Sequence, residues 1–347
     1  MRYPVKESLL GVALFCSLLL CGTASAHHSV PSHYDTATVT ELEGDVVRFV
    51  WANPHVRFTI RVRDDQGREE LWQIETNSVS ILGRMGLSAG IVKVGERIKV
   101  AGNPARRSER GMFAENLLLR DKQEIVLGPS GKPRWSNRTI GTSGPWLADA
   151  GKASEPQRGI FRVWSRALSA PPLFPGRGRA VETYPLTERA RAAVAAFDPI
   201  NDDPTRNCAP KGMPTMMSQP YPIEFVNQGD NILLRLEEYD AVRTIHMSVE
   251  SPRNPPRGPI GYSVGRWDGT TLVVTTNGIS WTHFALGIPL SERAEVVERF
   301  TPSADGSRLD YKLTVTDPVN FTKPVELQSS RIWLPDVEVR PYKCTIG

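Results

Sequence analysis

The chain has 347 residues, 40% of them hydrophobic and 23% charged, with a formal net charge of +4. That apolar content excludes an intrinsically disordered chain, and the length predicts about two domains. The basic excess is spread over short runs such as Arg106-Arg107 and Arg177 to Arg179, with no aromatics interleaved on a basic face, which argues against nucleic-acid binding.

Met1 to Ala26 carries the three parts of a secretory signal. Arg2 and Lys6 give the positive start, Leu9 to Cys21 the apolar run, and Ala24-Ser25-Ala26 the small-x-small cleavage site. The run is too short to span a bilayer, and no other stretch is apolar enough. Cleavage after Ala26 removes Arg2, Lys6 and Glu7 and takes the formal charge from +4 to +3. Leu20 is too bulky to precede a lipidated Cys21. The expectation is a periplasmic or secreted protein of a Gram-negative bacterium. Of the four cysteines, Cys16 and Cys21 lie in the signal, so Cys208 and Cys344 remain and are expected to pair in an oxidising compartment. They lack the C-x-x-C spacing of a redox or metal pair.

Residues 27–127 read as a first β domain. "VTELEGDVVRFVW" and "HVRFTIRVRDD" alternate apolar and polar residues, and Asp65-Gln66-Gly67 turns the chain into "EELWQIET". "SVSILGRMG" breaks the alternation, with Ser78 as helix cap and Gly86 as its end. "RIKVAGNPA" and "MFAENLLLRD" supply two further strands. Three strands, a short helix and two strands are the order of an OB-like five-stranded small barrel.

Residues 128–184 are rich in Gly, Pro, Ser and Arg and read as a linker, although Trp135, Trp146, Phe161, Trp164 and Phe174 imply that parts lie against a domain. "LTERARAAVAAFDP" is a short helix with Thr187 as cap and Pro199 beyond its end. Residues 185–347 join this helix to a run of strands broken at Gly229-Asp230, Asp268-Gly269 and Asp305-Gly306, where hairpins need positive φ. Seven or eight strands at this spacing predict an antiparallel up-and-down barrel or sandwich. The fold class is therefore mainly β.

Four of the six histidines, His27, His28, His33 and His55, fall near the start of the mature chain. Cleavage after Ala26 makes His27 the N-terminus, where its α-amino group and imidazole can chelate one metal. His28, His33 and His55 can complete a nitrogen-rich site suited to copper, with zinc or nickel as alternatives. The competing reading is a fraying tail and a polar turn residue.

Gly261-Tyr262-Ser263-Val264-Gly265 matches the G-x-S-x-G pattern of serine hydrolases, which requires a strand-to-helix elbow. The following "RWDGTTLVVTT" reads as strand, turn, strand, so the match is taken as coincidence. Glu237, Arg243, His246, Arg266, His283 and Glu298 are the polar residues that matter if the second barrel has a polar interior. Among them His246, Arg266 and His283 are the catalytic candidates. Trp267 and Trp333 read as core aromatics.

Two stretches resemble known families. "AHHS", Asn53, Pro54 and His55 within "WANPHV" resemble an uncharacterised family of small secreted bacterial proteins that begin near His-His-Ser and carry Asn-Pro-His after the first strand. Cys208, "GMP", "PYPIEF", "GRWDG", "VVERF" and "DPVNFTKP" resemble a second uncharacterised secreted family. Thr275 departs from that pattern, which has an aspartate there. The resemblances imply a secreted protein of two β domains and no particular reaction.

Three functions follow. The first is a non-catalytic binding protein, with metal on the N-terminal histidines and a small ligand in the second barrel. The second is a hydrolase or lyase at that barrel's mouth, using His246 or His283 as acid or base and Arg266 against an anion. The third is a module that binds a partner or glycan on the first barrel. The oligomeric state stays open.

Overall fold

The computed structural model describes residues 30–127, 132–141, 158–166, 173–174, 183–247, 250, 252–285, 287–335 and 337–345. Met1 to Ala26, the expected signal, and His27 and His28 lie outside the described residues. No helix among the described residues is long and apolar enough to cross a membrane.

The first barrel comprises β1 (Thr40–Val50), β2 (Arg57–Arg63), β3 (Glu69–Glu75), β4 (Arg97–Pro104) and β5 (Gly111–Leu118), after a short α1 (Val30–His33). β1 pairs antiparallel with both β2 and β4, β4 pairs with β5, and a parallel β3–β5 pair closes the ring. This is the OB-like order expected from the sequence. Alternate residues point inward, so Phe58, Ile60, Ile98, Val100 and Met112 pack together in the centre. At Gly102 the β4–β5 register shifts, and a Cβ there would sit 2.2 Å from the Phe113 carbonyl oxygen, so only glycine fits.

Between β3 and β4 lies α2 (Val79–Arg84). Ser78 Oγ accepts a hydrogen bond from Ile81 N at 3.2 Å, and Gly86 leaves the helix at φ +81°. The helix thereby turns Ile81 and Leu82 into the core and leaves Arg84 on its far end. Two short strands, β6 (Glu124–Val126) and β7 (Thr139–Ile140), extend the sheet from β5.

The second barrel is closed by nine strands among the described residues. They are β8 (Val163–Ser165), β9 (Ile223–Asn227), β10 (Asn231–Leu236), β11 (Ala241–His246), β12 (Tyr262–Asp268), β13 (Thr271–Asn277), β16 (Glu295–Pro302), β17 (Arg308–Thr316) and β18 (Val325–Trp333). β14 (His283–Ala285) and β15 (Ile288–Pro289) form a separate hairpin, and α3 (Glu188–Ala196) packs against β15. Gly229, Gly269 and Gly306 have positive φ at the three foreseen hairpin turns. All pairings in the ring are antiparallel except β11–β12, because the proline-rich stretch after β11 returns the chain to the same end of the barrel before β12 starts. The stretch 128–184 does more than tether: β7 joins the first sheet, and β8 bridges β18 and β9 to close the second barrel.

Past β18 the chain leaves the second barrel and runs along the first. Leu334 and Tyr342 pack in the first barrel's core together with Tyr221. Asn53 fastens this tail: its side-chain amide donates to Tyr342 O, and its carbonyl accepts from Thr345 N at 2.8 Å. Its Oδ1 also accepts from Val79 N at 3.0 Å, holding the start of α2. Cys344 at the tail's end is joined to Cys208 by a disulfide, as the sequence predicted, with Cα atoms 5.9 Å apart.

Candidate functional site: the cleft between the barrels

The tail and α2 face each other across a cleft of about 480 Å³. The first barrel contributes Trp51, Asn53, Val79, Ser80, Arg84 and Leu87; the second contributes Pro222 and Glu237; the tail contributes Leu334, Val337, Glu338 and Arg340. A cavity of this size, apolar on most sides with a few convergent polar groups, is what small-molecule sites look like.

Glu237 follows β10 and is 3% exposed. Burial raises the carboxyl's pKa above the ordinary value, and hydrogen bonds from Ser80 and from Arg340 N, with the charges of Arg84 and Arg340, pull the other way. Arg340 N donates to Glu237 Oε2 at 3.2 Å. Arg84 extends from the end of α2 beneath the cleft, where Nη1 donates to Ser165 Oγ at 2.6 Å and Nε to Ser80 O at 3.3 Å. Burial pushes the Arg84 pKa down to about 10 against the opposing charge of Glu237. The site thus pairs a carboxyl that is reluctant to ionise with a guanidinium held in place by the other barrel. Trp51 gives it an aromatic wall.

The sequence-derived candidates fall elsewhere, Glu237 excepted. His246 stacks on Tyr262 with ring centroids 4.6 Å apart, and its Nδ1 is 2.9 Å from Asn231 Oδ1. His283 packs between Trp281 and Phe197, and burial lowers its pKa against the opposing charge of Asp203. Arg266 lies exposed on β12. Among the described residues no hydrogen bond, ion pair or ring contact joins His246, Arg266 and His283. They sit on three different strands, β11, β12 and β14. Ser263 of the G-x-S-x-G match is in mid-strand and 1% exposed, bonded to Arg243 Nε at 2.8 Å, so it forms no elbow. Trp267 is 45% exposed, contrary to the core reading, because it lies near the tip of the β12–β13 hairpin; Trp333 is buried as expected.

The second barrel's interior is polar at its centre but filled with side chains. Arg243, Glu298, Ser263, Thr276 and Tyr311 are buried there, with Arg243 Nη2 donating to Glu298 and to Thr276 Oγ1 and Tyr311 donating to Glu298 at 2.8 Å. Phe225, Phe300 and Leu313 pack around them. The sequence reading held this interior open for a ligand; the interior carries this network of buried side chains, and the cleft lies between the two barrels.

Around the N-terminal histidines, the arm folds back onto the first barrel. Tyr34 bridges to Ala105, its ring centroid lies 5.5 Å from Phe113, and its hydroxyl donates to Glu75 at 2.6 Å. His55 meets Phe113 edge-on at 6.2 Å, and its Nδ1 lies 2.9 Å from Thr76 O. His33 closes α1, one residue before Tyr34. Among the described residues no group of three or more His, Cys, Asp or Glu side chains is placed to hold a metal ion.

Fold and site together define a two-barrel β protein whose cleft is walled by its own C-terminal tail. Residues 16–113 match the model of a family of unknown function, DUF6152, which agrees with the resemblance drawn for the N-terminal part. No curated protein matches the chain. Trp51, Arg84 and Arg340 were not singled out from the sequence. Trp51 stands inside the "WANPHV" stretch and so carried a signal, whereas the two arginines stand in no motif.

Proposed function

We propose that this is an exported, non-catalytic binding protein that takes a small amphipathic molecule in the cleft between its barrels. The observation that carries the reading is the cleft itself, lined from both barrels and the tail, with Trp51 and Leu87 offering apolar surface and Glu237 a buried carboxyl. The ligand's apolar body lies against the former and a hydrogen-bonding group meets the latter. Protein purified from a periplasm and analysed by native mass spectrometry is expected to carry a small molecule, and Trp51→Ala with Leu87→Ala is expected to lose it. A double variant that retains the same ligand would place the site elsewhere.

A copper-binding N-terminus is the second reading, favoured by the docking of the arm at Phe113 next to His55. In it His27 and His28, with His33 or His55, hold the ion, and export trimming creates the chelating amine. N-terminal sequencing followed by copper titration tests it. A mature chain that does not start at His27, or a His27→Ala, His55→Ala variant with unchanged copper affinity, removes it.

A further inference from the structure

The cleft between the barrels is rich in hydrogen-bond acceptors and poor in donors. Pro222, Pro335 and Pro341 line it, and a proline offers a carbonyl without an N–H. Main-chain N–H groups around it are already committed inside the protein. Val79 N donates to Asn53 Oδ1, Leu87 N to Leu82 O, Glu237 N to Pro222 O and Val337 N to Leu334 O. The side-chain amide of Asn53 donates to Tyr342 O. Arg84 directs each guanidinium nitrogen to a protein acceptor: Nε to Ser80 O, Nη1 to Ser165 Oγ and Nη2 to Pro220 O.

Glu237 is a buried acceptor in the lining of this space. A carboxylate has about four acceptor positions. Arg340 N and the Ser80 hydroxyl take two of them. Those bonds, with the charges of Arg84 and Arg340, do not make up for burial, since the carboxyl's pKa stays above its ordinary value. Glu237 is therefore short of positive partners. Glu338 and the side chain of Arg340 also line the cleft, but both are exposed to solvent. Opposite charges two residues apart on an exposed tail largely offset each other and are screened by salt. Trp51 adds an aromatic wall, and aromatic faces attract cations.

We propose that the cleft selects a protonated amine, a ligand with an apolar body and an ammonium head that donates to Glu237. This assignment rests on the reading of the cleft as a ligand site and adds the charge of the ligand it takes. The ammonium N–H groups fill open acceptor positions on the carboxylate, and the positive charge replaces the hydration lost on burial. An anionic head would meet Glu237 as a like charge, with Arg84 already turned to other acceptors.

The test is calorimetric titration of the full mature chain at neutral pH and physiological salt with three probes that share one alkyl chain: octylammonium, octanoate and octan-1-ol. Octylammonium is expected to bind saturably at about one per chain and at least about tenfold tighter than octan-1-ol, the ratio one charge-assisted hydrogen bond supplies. Octanoate is expected to bind more weakly than either. Glu237→Gln should bring octylammonium down to the affinity of octan-1-ol and leave octan-1-ol little changed. Glu338→Gln, which removes the exposed acidic charge, should keep the preference for the amine. Octylammonium binding no tighter than octan-1-ol overturns the assignment, as does octanoate binding tightest. So does a preference that survives in Glu237→Gln, or one that Glu338→Gln also abolishes. The three probes on the parent protein decide the matter if a variant fails to fold. Saturable binding of octan-1-ol that is lost in Trp51→Ala with Leu87→Ala upholds the cleft by itself. A cleft that binds all three probes alike therefore sinks the amine alone, whereas no saturable binding of any probe sinks both.

Discussion

Arg243 and Glu298 illustrate what a buried ion pair does at the level of single residues. Both are fully buried in the second barrel, and Ser263, Thr276 and Tyr311 complete the network. Removing one partner leaves a charge in a low-dielectric interior, whereas removing both leaves none. Glu298→Ala is therefore expected to cost about 3–5 kcal/mol in urea unfolding. Arg243→Met combined with Glu298→Leu should cost much less than the single change, although it still leaves the hydroxyls of Ser263, Thr276 and Tyr311 to be satisfied. A double variant no more stable than Glu298→Ala would show that the pair is not the source of the cost.

Glu237 makes a pH prediction at the same scale. Its folded pKa is raised, so between its unfolded and folded values the native state holds more protons than the unfolded one. Its contribution to stability is complete below the unfolded value, about 4.5, and is lost as pH rises through the folded value. Arg84, Arg340 and Ser80 face the carboxyl and limit the shift. Glu237→Gln cannot ionise and should remove this loss. Relative to the parent protein, the variant is expected to gain stability as pH rises from about 4.5 towards 7, as read from urea midpoints at each pH. A constant difference across that range would show that Glu237 titrates normally.

Among the elements, α2 is the one on which the cleft depends. It has only six residues, too few to be stable alone, so its position rests on its cap, its apolar face and Asn53. Ser78→Ala removes the acceptor for Ile81 N and is expected to cost about 1 kcal/mol, or up to about 2 because Ser78 also bonds the Tyr221 hydroxyl. The loss would appear in chemical unfolding and as faster amide exchange at residues 81–85. The Asn-Pro-His stretch has a structural part at this scale too. Asn53 satisfies the start of the helix and the end of the tail together, and His55 joins the backbone of the strand end at Thr76.

At the scale of the whole molecule, the tail makes one wall of the cleft and is held at its end by Cys208–Cys344. The bridge closes a loop with a sequence separation of 136 residues, which the chain-entropy relation values at about 5 kcal/mol. Cys208→Ser with Cys344→Ser is expected to lower stability by about 3–5 kcal/mol. Because Leu334, Val337 and Arg340 belong to the tail, the same change should weaken retention of the cleft ligand. Unfolding midpoints and native mass spectra measure the two effects separately. Unaltered stability would mean that Asn53 and the buried Tyr342 hold the tail without the bridge.

What the sequence determined by itself is local. Alternation with period two gave the strands of both barrels, Ser78 and Thr187 marked the helix starts, and glycines at positive φ placed the hairpin turns. Such signals depend on neighbours within a few positions, and they were enough for the mainly β class and the five-strand order of the first barrel. The pairing of Cys208 with Cys344 was likewise readable, on the expectation that Cys16 and Cys21 belong to a cleaved signal. Only the tertiary structure decided where the polar groups meet. Arg84 and Ser165 lie 81 positions apart, and Asn53 and Tyr342 lie 289 apart, so no periodicity or spacing links them. Closing each ring also decided which alternate residues share an interior, bringing Arg243 to Glu298. Contacts between distant segments follow from how the barrels close and how the tail returns, and those depend on the packing of the entire chain.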